Sequence, residues 1–190
     1  MIRNSTAGYG WVAIAFHWTM AVLIIGMIGL GLYMDGLPMS DPSTFAIFQL
    51  HKSIGFVVLA LAVLRLVWRF MNPTPALPDS MATWEKAAAH LGHIGLYALI
   101  LAIPLSGWLM VSASPWNIQT ILFNTVNVPH LPVPAALGTK EEAEGLFKAL
   151  HSLFAWALVA LLAAHIGAAL KHHFIARDGV LKRIVHPVRG

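Results

Sequence analysis

The chain has 190 residues, 58% of them hydrophobic and only 11% charged. A soluble domain has roughly a quarter of its residues charged, and so short a chain would still need a polar exterior, so the composition argues for a membrane protein. Cysteine is absent, which excludes disulfides, iron–sulfur ligation and thiolate zinc sites. The formal charge of +4 is divided between helix ends and tail, so loop bias in a membrane protein explains it and nucleic-acid binding does not.

A transmembrane helix needs about 20 mostly apolar residues, and four stretches qualify. The first runs from about Val12 to Met34 and ends at Asp35-Gly36 with Pro38. It is too long for the apolar region of a secretory signal, and no clear small-residue cleavage pattern follows it, so it is expected to stay in the mature protein. The second runs from about Phe48 to Phe70 and stops before Asn72-Pro73-Thr74-Pro75. The third runs from about Ala87 to Val111, with Pro104 and Gly107 expected to bend it; membrane helices tolerate proline when neighbours satisfy the freed carbonyl. The fourth runs from about Leu146 to Leu170. The spans (12–34, 48–70, 87–111 and 146–170) describe an all-α integral membrane four-helix bundle, a single domain over 1–190. The connection over 112–145 is the longest, and its Trp116 and Phe123 are candidates for the membrane surface.

Lysine and arginine set the expected orientation. Arg3, Arg65, Arg69, Lys86, Lys171, Arg177, Lys182, Arg183 and Arg189 fall on the side of both termini, and Lys52, Lys140 and Lys148 on the other. The imbalance puts both termini in the cytoplasm. In a bacterial inner membrane the long connection then faces the periplasm.

Ionisable residues within spans are costly and mark candidate functional sites. Four of the ten histidines qualify: His17, His51, His151 and His165. A lone histidine at a helix end is more often a hydrogen-bonding residue than a ligand, so the inference rests on mutual placement. His151 and His165 are 14 residues apart on the fourth helix, hence within about 40° of one face and about 21 Å apart along the axis. The antiparallel order puts His17 level with His165, and His51 level with His151. Each pair supplies the two axial positions of a six-coordinate haem iron, whereas zinc takes three or four ligands at one point. Without cysteine no covalent c-type attachment is possible, so two b-type haems are expected.

Other residues extend this reading. Gly55 lies one turn after His51, where a missing side chain would let a flat macrocycle approach; packing through small residues is the ordinary alternative. Arg65 lies 14 residues after His51 and is a candidate partner for a haem propionate, or a side chain reaching to the interface. His90 and His93, one turn apart, rival His17 or His165 as ligands, although hydrogen bonding to propionates or water suits them as well.

With these residues in place, the chain resembles the prokaryotic cytochrome b561 family over nearly its whole length. The matching pieces are Phe16-His17-Trp18, then His51-Lys52-Ser53-Ile54-Gly55 with Arg65-Leu66 and Arg69. Pro73-Thr74-Pro75 precedes Ala89-His90-Leu91-Gly92-His93, and His151, His165 and His172-His173 complete the ordered set. The b-type subunits of hydrogenases and formate dehydrogenases share the two-haem logic at greater distance. The resemblance implies one haem on His17 and His165, another on His51 and His151, and redox exchange with ubiquinone. Some members of the family look like superoxide oxidases, which pass an electron from periplasmic superoxide to quinone. The run Gly138-Thr139-Lys140-Glu141-Glu142-Ala143-Glu144 is an insert-like departure from that pattern.

Outer-sphere electron transfer follows as the expected activity, because two bis-histidine irons leave no open site for oxygen activation. His172, beside Lys171, is a candidate to hydrogen-bond a quinone carbonyl and to supply a proton. On the outer side Lys52, Lys140, Lys148 and His130 are candidates to draw in a small anion such as superoxide, against the opposing charge of Glu141, Glu142 and Glu144. The alternative is a non-enzymatic haem-b anchor that relays electrons from a separate redox partner protein. The basic tail from Lys182-Arg183 to Arg189 suits such docking, or contact with anionic membrane lipid.

Overall fold

The computed structural model describes residues 1–38 and 40–187; Arg189 of the basic tail lies outside them. Four long helices dominate: α1 Trp11–Asp35, α2 Pro42–Phe70, α3 Thr83–Ala113 and α4 Lys140–Lys171. Each is long and apolar enough to cross a membrane. In hydrocarbon a helix is favoured because it satisfies its backbone polar groups internally. Apolar side chains such as Val22, Leu91 and Leu153 stand exposed on these helices, as suits surfaces covered by lipid. The fold is therefore all-α, of the membrane-bundle type.

Three of the helix starts are written in local chemistry. Asp41 precedes Pro42, and its carboxylate accepts the Ser43 amide at 2.8 Å; that bond holds the Asp41 carboxyl below its ordinary range. Proline at the first helical position loses no hydrogen bond and has the right φ already. At α3 the Glu85 carboxylate accepts the Ala82 amide at 3.1 Å. At α4 the Thr139 hydroxyl accepts the Glu142 amide at 3.2 Å, and the Glu142 carboxylate accepts the Thr139 amide at 2.7 Å. This is a reciprocal capping box, and it starts α4 within the polar stretch, six residues before the apolar run begins at Leu146.

The chain divides into two compact units. One comprises Met1–Val22, Leu61–Ala98 and the chain from Leu158 onward. Its N-terminal segment is tied down by Asn4, which donates to the Pro73 carbonyl at 3.1 Å and accepts the Gly10 amide at 3.0 Å. After α4 come one π-helical turn, His172–Ala176, and a short α5, Val180–Val185. Trp18 donates to the Ile184 carbonyl at 2.9 Å, which holds α5 against α1.

The second unit comprises Leu23–Ala60 and Leu99–Ala157. Ala113, Ala143 and Phe147 form a buried cluster there, with Leu109, Met110, Val133, Leu137 and Leu150 around it. Strands β1 Thr120–Leu122 and β2 Val126–Val128 make an antiparallel hairpin, Thr120 opposite Val128. Its turn places Phe123 and Asn124 at φ 46° and 59°, the left-handed pair that tight hairpins favour. Two α2 side chains hold the hairpin. Gln49 donates to the Gln119 carbonyl at 2.8 Å, and Ser53 accepts the Phe123 amide at 3.0 Å.

Candidate functional site

In the unit that holds both termini, α1 and α4 bring His17 beside His165, ring centroids 6.3 Å apart. His93 of α3 also lies beside His165, at 5.6 Å. All three rings are half-buried, whereas His90 is exposed. Arg65 of α2 lies within this group. Its Nη2 is 3.2 Å from His17 Nδ1, and its Nε donates to the Tyr97 hydroxyl at 3.3 Å. A guanidinium only donates, so His17 accepts at Nδ1 in this arrangement and carries its hydrogen on Nε2. Arg65 and Arg69 also face the Tyr97 ring, at 5.6 and 5.5 Å from its centroid. Tyr97 was not singled out in the sequence; its place three residues before Ile100 on a mixed helix face carries no distinct signal. Outside the helices, burial pushes the Tyr9 phenol above its ordinary pKa, although Arg69 opposes the shift.

In the second unit α2 and α4 bring His51 beside His151, ring centroids 6.4 Å apart. His151 is held firmly. Its Nδ1 lies 2.9 Å from the Ile103 carbonyl and 3.2 Å from the Ser106 hydroxyl. A carbonyl only accepts, so Nδ1 carries the hydrogen and Nε2 is left bare, the form a metal requires. The anchor sits one residue before Pro104, whose missing N–H withdraws the regular helical donor from the Ile100 carbonyl four residues back. Gly107 completes the cradle, since a Cβ there would lie 3.1 Å from His151 Cε1 and 3.3 Å from Nδ1. The sequence assigned Gly107 only to a bend. Gly31 of α1 approaches His51 similarly, at 3.7 Å from Cε1 to a built Cβ. At Gly55 a Cβ would meet only the end of Met27, at 3.8 Å.

The donor set fits a metal held between paired imidazoles. A metal–nitrogen bond of about 2 Å on each side, plus roughly 1 Å from each nitrogen to its ring centre, separates two trans rings by about 6 Å. Both His17–His165 and His51–His151 meet that spacing. His51 Nδ1 is buried without a hydrogen-bond partner among the described residues, which is costly for a polar atom unless another group satisfies it. Among the described residues no group of three or more His, Cys, Asp or Glu converges on one point, as a zinc site would need.

The remaining candidates are dispersed. Lys171 pairs with Glu85 and lies 5.6 Å from the Trp84 ring centroid, while His172 pairs with Asp178. On the other unit Lys52 donates to the Gln119 carbonyl at 3.4 Å, and His130 Nε2 lies 3.3 Å from the Ile118 carbonyl. Lys140 and Lys148 are exposed. Glu142, weighed in the sequence as an opposing surface charge, is occupied as the α4 cap. A Thr-x-x-Glu spacing was the available signal.

The sequence profile of the prokaryotic cytochrome b561 family matches residues 8–187. The chain belongs to that family. It is 36% identical over 182 residues to cytochrome b561 homolog 2 of Escherichia coli K12, covering 96% of this chain and 93% of that one. Cytochrome b561 homolog 1 of the same organism is 29% identical over 173 residues, with 90% and 93% covered. The probable superoxide oxidase CybB of Yersinia pestis is 26% identical over 186 residues, with 96% and 98% covered. As a cytochrome b561, the chain is a multi-pass bacterial membrane protein that binds haem b and takes part in electron transfer.

Proposed function

We propose that this cytochrome b561 holds two b haems, one between His17 and His165 and one between His51 and His151, and exchanges electrons between a periplasmic one-electron donor and the ubiquinone pool. The observation that carries this reading is the pair of imidazole–imidazole separations, 6.3 and 6.4 Å. Haem supplies one-electron chemistry when bound, and the chain sets its ligands, charge and access. His151 is fixed by the Ile103 carbonyl with Nε2 bare. His17 must likewise present a bare nitrogen, so Arg65 turns from its Nδ1 to another acceptor, for which a haem propionate is the natural anion. Gly107 keeps side-chain bulk away from the His151 ring.

Superoxide suits the outer donor role because Lys52, Lys140, Lys148 and His130 offer positive charge or hydrogen-bond donors on one unit. The likeness to a probable superoxide oxidase supports this choice. This reading puts quinone at the end of α4, and the position of His172 and Lys171 beyond the apolar stretch supports it. The termini then face the cytoplasm of a bacterial inner membrane. The whole chain acts as one membrane-embedded domain.

The test is a reduced-minus-oxidised spectrum with haem stoichiometry for the purified protein and for His51→Ala, His165→Ala, His93→Ala and His17→Ala. Two haems per chain are expected, one lost in each variant except His93→Ala, which keeps both. The 5.6 Å approach of His93 to His165 makes it the rival ligand. Loss of a haem in His93→Ala with retention in His17→Ala would transfer the ligand role to His93.

A further inference from the structure

The end of α4 is shaped to bring one carboxylate onto one imidazole. After the π-helical turn His172–Ala176, Arg177 and Gly179 both adopt left-handed backbone, φ 52° and 77°. The conformation is unfavourable for a side chain as large as arginine. It turns the chain so that Asp178 meets His172, Oδ2 to Nδ1 at 2.5 Å. The two side chains are only 7% and 12% exposed. The second oxygen of Asp178 accepts the Val180 amide at 3.1 Å, so both ends of the carboxylate are engaged. From α3, Glu85 also faces His172, and Lys171 beside it is paired with that glutamate.

We propose that Asp178 is a positioning residue for quinone reduction: it holds His172 with the hydrogen on Nδ1, leaving Nε2 as the nitrogen that exchanges a proton with quinone. This rests on the quinone reading above and adds a residue that the reading lacked. A carboxylate only accepts hydrogen bonds, so its contact determines which ring nitrogen carries the hydrogen and which way the ring points. In the overall step two superoxide anions each give one electron and become dioxygen, and one quinone takes up both electrons with two protons. With the ring protonated on both nitrogens, one proton passes from Nε2 to a quinone carbonyl oxygen: the N–H bond breaks, an O–H bond forms, the ring keeps its Nδ1 hydrogen, and a hydronium ion of the adjoining water restores the proton on Nε2. The other proton is taken up from hydronium directly.

Asparagine at 178 has one acceptor where aspartate has two. It must give up the Val180 bond or present its amide nitrogen to Nδ1 and invert the tautomer. Serine can still accept the Val180 amide but cannot hold the ring. Holoprotein with full haem content would be assayed with superoxide and a short-chain ubiquinone, comparing wild type, Asp178→Asn, Asp178→Ser, His172→Ala and His172→Ala/Asp178→Asn. Nitrogen-15 histidine spectra would report the tautomer. The expected result is a fall in quinone reduction of roughly tenfold in both Asp178 variants, the usual scale for a group that orients a functional histidine. The double variant should match His172→Ala alone, and the Nδ1–H signature should be lost in Asp178→Ser. Wild-type rates in the Asp178 variants, or losses that multiply in the double variant, would overturn the proposal while leaving the quinone site standing. An unaffected His172→Ala would remove the quinone site itself, and this proposal with it.

Discussion

Replacing Gly107 by alanine places a methyl carbon 3.1 Å from Cε1 and 3.3 Å from Nδ1 of His151. Ordinary carbon contacts lie at about 3.5–4.0 Å, so the ring has to retreat by roughly half an ångström. It cannot do so freely, because Nδ1 is tied to the Ile103 carbonyl at 2.9 Å. Either that bond stretches or α3 shifts, and overpacking of this kind costs about 1–3 kcal/mol. If the ring is an axial ligand, the strain appears as haem retention weakened roughly fivefold to hundredfold, confined to the His51–His151 site. Haem content by alkaline pyridine assay, followed through a detergent dilution series, measures the loss. The His17–His165 site is the internal control. Full retention of both haems with an unaltered spectrum would show that His151 is not held where ligation requires it, and the ligand scheme for that site would be refuted.

Two further perturbations separate the electrostatic from the structural devices. Arg65→Met removes a positive charge beside His17; the nearer haem should become harder to reduce, its midpoint falling on the order of 60 mV, a tenfold change in a one-electron equilibrium, while the other stays put in a potentiometric titration. Thr139→Ala deletes one half of the α4 capping box and should cost about 1 kcal/mol of stability, visible as a lower thermal midpoint with haem content unchanged.

Much of this molecule is local in the sequence. Length and unbroken apolarity select a membrane helix one segment at a time, so four helices could be read without knowing their neighbours. The 14-residue interval from His151 to His165 fixes one face of one helix by periodicity alone. The α4 capping box is local too: Thr139 and Glu142 carry its spacing within a run whose charges by themselves suggest a surface insert.

What tertiary structure alone decided are the contacts that join distant segments. Whether His165 meets His17 or His93 depends on how three helices pack, and both lie within 6.3 Å of it. Gly107 matters because a ring 44 positions later comes to rest on it, and the Gln49 and Ser53 side chains because a hairpin some 70 residues on needs its backbone satisfied. Asp178 reaches His172 only through two left-handed residues, one of them an arginine. Propensity cannot announce such a turn, because the surrounding contacts must hold the chain in a conformation that Arg177 would not choose by itself.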